Sequence, residues 1–194
     1  MKYPEIKFGQ MEAIINKLGG EEGVLKFLRG ELVVQPAVVP EPISEPAPDF
    51  IVRVDRSVKP SYPDWTKKLM YPDLELTGPA EYDIQKLGLW LHDDQKDGVV
   101  SGNTIYTKLE KDNALADCLG LADLLAIKAK VIIAPVFLKL FAGKIVFGWK
   151  SVAQRQNGDL VAPYLIVHNG RIMVLWYWLN SNWNSNHLAL RFSK

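Results

Sequence analysis

Apolar residues recur at helical spacing through the first thirty positions. Met11, Ile14, Ile15 and Leu18 share one face of a helix that Gly19 and Gly20 interrupt, and Val24, Leu25, Phe27 and Leu28 mark a second, shorter helix that stops at Arg29-Gly30. Glu21 and Glu22 suit the positive end of that second helix. Residues 1–34 are therefore expected to form a helical hairpin module, one that cannot bury its apolar side alone. The pattern then lapses: PAVVPEPISEPAP, residues 36–48, holds five prolines in thirteen positions, which predicts an extended linker over 35–49. Strand-like alternation resumes with Phe50, Val52 and Val54 in FIVRV.

Residues 79–142 read as mainly helical. Pro79 suits a first turn, and Ile84, Leu87, Trp90 and Leu91 recur at helical spacing as far as Gly98. A second helix is expected over Thr104–Asp112 and a third over LADLLAIKAK, with Leu121, Leu124, Leu125 and Ile127 as its seam. VIIA is ambiguous between helix and strand, and Pro135 opens a last short helix, PVFLKLFAG.

In the last third, Asn157-Gly158 and Asn169-Gly170 separate β-rich runs, and Asn-Gly is the turn in which both central residues take positive φ. The expectation is a meander of strands 144–156, 159–168 and 171–179, with HLALRF as a fourth. The fold class is α+β: residues 50–194 form one domain in which helices of 79–142 pack on an antiparallel sheet of 144–194.

Two-residue turns set the register and assign faces. One face would carry Phe147, Trp149 and Ser151, then Tyr164, Ile166 and His168, then Arg171, Met173, Leu175 and Tyr177. The other would carry Val146, Lys150 and Val152, then Val161, Leu165 and Val167, then Ile172, Val174, Trp176 and Trp178. Neither face is polar, so each must be covered or must expose a patch that marks a binding site. Pro163, within the middle strand, predicts a bulge or register shift. NSNWNSN reads as a polar loop whose Trp183 is less obliged to enter the core.

Charge sharpens this picture. Residues 144–194 carry six basic groups against one acid, Asp159, a net +5 that the whole-chain charge of +1 conceals. A basic, aromatic sheet suggests a stacking platform for a nucleic acid, with Trp149, Tyr164, Tyr177 and Trp183 as rings and Lys150, Arg155, Arg171 and Arg191 as cations, or else a contact for a protein partner. The competing explanation for the rings is plain core packing. His92, Asp93 and Asp94 are the one cluster that suggests a metal-dependent hydrolase, set against a solvated helix end. No Walker loop, dinucleotide fingerprint, HExxH box or nucleophile elbow is present, so neither a cofactor nor a bound metal is expected. Cys118 is the single cysteine, which excludes an intramolecular disulfide and leans towards a reducing compartment. With no apolar run of signal-peptide or membrane-span length, a cytoplasmic location without membrane contact is expected.

The segment GQMEAIINKLGGEEGVLKFLRGELVV resembles one that recurs in front of otherwise different small bacterial proteins. YDIQKLGLWLHDDQKDG, FGWKSV and VLWYWLNSNWNSNHLALRF are similar to a group of those proteins. The resemblance implies no activity and no catalytic residues. It does imply that residues 9–34 are an exchangeable docking or processing module. The leading expectation is a non-enzymatic binding module, with the hydrolase and a structural homo-oligomer subunit as alternatives.

Overall fold

The computed structural model describes residues 7–33, 50–133 and 137–192. The proline-rich stretch and Pro135 lie outside the described residues. The chain divides into two compact units, Met1–Pro46 and Ala47–Lys194. In the first, α1 (Phe8–Lys17) and α2 (Gly20–Leu28) form the expected hairpin. The turn between them runs through Gly19 and Gly20, both at positive φ. Phe8, Met11, Ile14, Ile15, Leu25, Phe27 and Leu28 are all exposed.

The second unit is α+β. It begins with β1 (Ile51–Arg53), in which Val52 is fully buried, then β2 (Thr66–Leu69) and a 3₁₀ turn at Pro72–Leu74. The helix expected over 79–98 is not formed. Its place is taken by β3 (Glu81–Asp83), a 3₁₀ turn at Ile84–Lys86, β4 (Gly88–Trp90) and a single helical turn, α3 (Asp93–Asp97). The reason is tertiary pairing: β3 lies antiparallel to β1 and β4 to a strand a hundred residues later, so non-local ladders supply the backbone bonds a helix would have made. Asp83 reinforces the turn by accepting a hydrogen bond from the Gln85 N–H (3.0 Å), a local bond that competes with helix.

The two-residue strand β5 (Val100–Ser101) leads into α4 (Gly102–Lys111), capped by the Ser101 hydroxyl, which accepts from the Asn103 N–H. A 3₁₀ turn at Leu115–Asp117 is followed by α5 (Leu121–Ile133) and α6 (Phe137–Phe141). VII is thus helical. Leu121, Leu124 and Ile127 form the buried seam of α5, whereas Leu125 is exposed.

The strand expected over 144–156 is broken into β6 (Ile145–Phe147) and β7 (Ala153–Arg155), separated by a 3₁₀ turn at Trp149–Ser151. Both pair with β8 (Leu160–His168), which pairs on its other side with β9 (Arg171–Trp178). The break lies opposite Pro163, where a bulge or shift was expected. Pro163 has no N–H to offer, and its carbonyl accepts from the Gly148 N–H (2.9 Å) as the neighbouring chain turns away. Beyond β10 (Asn182–Trp183), which pairs with β5, comes β11 (His187–Arg191). It does not extend the meander: it lies parallel to β6 and antiparallel to β4. The seven-stranded sheet therefore runs β2-β7-β8-β6-β11-β4, with β9 on the far side of β8.

The second Asn-Gly turn is as expected. Asn169 and Gly170 have φ of 49° and 70°, and His168 faces Arg171. The first is one residue longer: Gly158 N–H donates to the Arg155 carbonyl and Arg155 N–H to that of Asp159, with Gly158 alone at positive φ. The extra residue sets Ala153 opposite Val161, so Val152 leaves the face assigned to it and packs with Trp149 instead. On β8 and β9, the faces are those read from the alternation.

Candidate binding surface

The two faces of the sheet are covered unequally. Towards α5, Val146, Leu165 and Ile172 are buried against Leu124, Ile127 and Phe141. Farther along that face, Trp176 meets Trp65 edge-on with centroids 5.2 Å apart, and Tyr62 lies 5.7 Å away. Arg155 stacks over Trp65 (4.9 Å) and approaches Trp178 (5.6 Å), which stays partly exposed.

The opposite face is covered over one half only. There Phe147, Trp149, Ala162, Trp183 and Ala189 are buried together with Ile105, Tyr106 and Leu109 of α4. Trp183 is the correction here: NSNWNSN contains β10, and the indole lies flat on Phe147 (3.9 Å, 29°), fully buried. It fits because Gly102 has no side chain, since a Cβ there would stand 2.7 Å from the ring.

The other half of this face is open. His187, Ile145, Ile166 and Met173 form one row across β11, β6, β8 and β9, and Tyr164 and Leu175 continue the next row from Phe147. With Tyr177, these side chains are half-buried, apart from Leu175, which is 40% exposed. Ile145, Phe147, Tyr164, Tyr177 and His187 line a cavity of about 100 Å³. Lys144, His168 and Arg171 are exposed along the rim. The one acid of residues 144–194, Asp159, sits beside the other turn, so within this segment the patch combines apolar surface with Lys144 and Arg171.

His187 belongs to the patch through its ring. It stacks against Phe147 (5.9 Å, 24°) and Tyr177 (6.0 Å, 26°), and its Nδ1 accepts from the Asn184 N–H (3.2 Å). Burial lowers its pKa below the usual 6.5, only partly offset by the bond to Asn184, so the ring is neutral at pH 7 and continues the apolar surface.

The residues expected to bind a ligand are thus divided. Tyr164 and Tyr177 come together in the open half, with Arg171 at its rim. Trp149 and Trp183 lie behind them in the core. Lys150 is buried, donating to the Thr77 carbonyl (2.9 Å). Burial holds its pKa below that of a free lysine. Arg155 is on the opposite face, and Arg191 pairs with Asp117 at 3.3 Å.

His92 does not end a helix but caps the start of α3, its Nδ1 accepting from the Asp94 N–H (3.2 Å). Asp93 pairs with Lys96 (2.7 Å), and both aspartates are exposed. Among the described residues, no group of three or more His, Cys, Asp or Glu side chains is arranged to hold a metal. Ile145 and the openness of Ile166 and Met173 were not singled out by sequence reasoning, which considered His187 only as a metal ligand arriving from the sheet. Alternation placed Ile166 and Met173 on this face, but the parallel pairing that brings His187 beside Ile145 leaves no local signal.

A second polar assembly also escaped the sequence. Arg56 and Asp123 form a buried pair (2.5 Å), and Asp123 accepts from the Gly120 N–H (2.8 Å). Ser151 Oγ accepts from the Leu121 N–H (2.6 Å) and donates to Glu75 Oε2 (2.6 Å), which also accepts from the Tyr62 hydroxyl. These bonds satisfy the first N–H groups of α5 and fasten residues 56–79 to the sheet, a structural role.

Burial also sets the alkaline behaviour. Cys118, whose thiol donates to the Ala114 carbonyl (3.3 Å), has its pKa pushed up to about 12 by desolvation. Desolvation raises Tyr62 and Tyr82 as well. A raised pKa means that the folded state holds its proton more tightly, so this stability is complete below the unfolded-state values and is lost as pH climbs. Thermal unfolding should show Tm falling once pH exceeds 9 and continuing down towards 12. Cys118→Ala should shallow the first part of that decline, and an unchanged slope would rule out the thiol as a contributor.

Comparison with protein-family models, with curated proteins and with solved structures returned no match. Among the described residues, no helix is long and apolar enough to cross a membrane.

Proposed function

We propose that this protein is a binding module whose partner surface is the open half-face formed by Ile145, Tyr164, Ile166, Met173, Leu175, Tyr177 and His187. The observation that carries the reading is a face of the sheet that α4 and Trp183 cover over one half only, the other half being apolar side chains on which no element of the described chain packs. Aliphatic side chains and a methionine dominate, and Lys144 and Arg171 stand exposed at the rim. A protein segment presenting apolar residues flanked by Asp or Glu matches that chemistry.

A nucleic acid is the second reading, favoured by Tyr164 and Tyr177 beside Lys144 and Arg171, which could stack bases and meet phosphates. The two separate by titrating the labelled full chain with an acidic peptide of alternating Leu and Glu, and with oligo-dT. Peptide-induced amide shifts confined to Ile145, Ile166, Met173 and Leu175, abolished by Ile166→Lys without loss of Tm, are the expected result. Oligonucleotide binding that weakens steeply with salt would transfer the assignment to nucleic acid. Silence towards both at low salt would defeat the module reading.

A further inference from the structure

The open half-face ends at β9, and the edge of that strand differs from the other edges of the sheet. The ends of the strand order are β2 and β4, and β9 pairs with β8 alone. Edge strands offer unpaired backbone groups to other chains, and proteins blunt them with charge, brevity, proline or a bulge. β2 has exposed Lys67 and Lys68 and a register shift between Thr66 and Lys68. β4 has three residues and starts at a glycine. β9 has eight residues, and from Ile172 to Trp178 it carries no charge, no proline and no break in register.

The tight turn determines which groups are open. His168 and Arg171 flank a two-residue loop and so form a hydrogen-bonded pair. Arg171, Met173, Leu175 and Tyr177 therefore direct their backbone N–H and C=O towards β8, and Ile172, Val174 and Trp176 direct theirs outwards. Among the described residues, no backbone hydrogen bond from another element reaches those three.

We propose that β9 pairs antiparallel with β9 of a second copy of this chain, about a two-fold axis through Val174. This register sets Ile172 against the partner's Trp176, Met173 against the partner's Leu175 and Arg171 against the partner's Tyr177. Outward-pointing residues meet outward-pointing ones throughout, as an antiparallel ladder requires. No like charges are opposed, and each copy's only charged strand residue faces an aromatic ring. An axis at Met173 would shorten the ladder, and one at Leu175 would leave Arg171 outside it. The strand is thus complementary to itself, which is the condition for an isologous dimer and the reason to name a second copy as the occupant. The inference concerns the sheet's edge and stands apart from the assignment of its face.

Sedimentation equilibrium of the full chain is expected to give twice the chain mass of 21.9 kDa. Val174→Pro, which removes an outward N–H, should return it to the single-chain mass. Should that variant not fold, cross-linking decides. Residues 173 and 175 would meet at non-hydrogen-bonded positions about 4.5 Å apart between Cα atoms, close enough for a disulfide. The Met173→Cys, Leu175→Cys double variant should therefore oxidise to a covalent dimer. Neither single variant should, since each cysteine would face a native Leu175 or Met173, and Cys118 is buried. A single-chain mass at every concentration overturns the proposal, as do single variants that cross-link as readily as the double. Ile166→Lys, which disables the face, should leave the dimer mass unchanged, so either reading can fail without the other.

Discussion

Trp183→Ala should lower the unfolding free energy by about 3–5 kcal/mol, the range for removing a buried tryptophan. The side chain is fully buried, in contact with Phe147 (3.9 Å), Trp149 (5.0 Å) and Tyr177 (5.7 Å), with its Nε1 donating to the Trp178 carbonyl (3.4 Å). Alanine would leave a void among rings held by three different elements, and Phe147 and Tyr177 cannot move in without breaking their strand ladders. Urea denaturation measures this directly. The midpoint should fall with an unchanged slope, and a loss below about 1 kcal/mol would mean that the ring is not a keystone of this core. Gly102→Ala should disturb the same place in the opposite sense. Its Cβ would meet the indole at 2.7 Å and the Leu179 carbonyl at 2.9 Å, and overpacking of this kind costs about 1–3 kcal/mol.

Asp123→Ala is expected to be as damaging, by about 3–5 kcal/mol, the usual result of removing one member of a buried ion pair. The Asp123 carboxylate is fully enclosed and the Arg56 side chain is only 12% exposed, so solvent cannot take over the lost partner. The Gly120 N–H loses its acceptor as well. Joint replacement by Arg56→Met and Asp123→Leu should recover much of the loss, because no charge is then left buried alone. If the double variant were no more stable than Asp123→Ala, the pair would be contributing more than mutual neutralisation.

The parts of this fold that could be read in the sequence are those governed by neighbours in the chain. The alternation over 160–178 and the turn at Asn169-Gly170 assign every side chain of β8 and β9 to its face, and Pro163 announces the interruption beside it. Ile84, Leu87 and Trp90 mislead because their spacing fits a helix, while the backbone there is claimed by β1 and β11. The candidate surface was half legible. Tyr164, Tyr177 and Arg171 are where alternation puts them, whereas Trp149 and Trp183 could be recognised as core only once α4 and Gly102 were in place. The Glu75–Ser151 and Arg56–Asp123 contacts join residues 76 and 67 positions apart, a range at which no local periodicity acts.

The pairing of β4 with β11 has a consequence for the order of events as the chain is made. Leu89 meets its partner Leu190 only after a hundred further residues have been added, and β2 waits nearly as long for β7. Until then β2 and β4 lack their sheet partners, while β1 can already pair with β3. β2 and β4 therefore stay unpaired until the last third of this sequence has been made, and joining them to the seven-stranded sheet carries the entropy cost of closing those long loops.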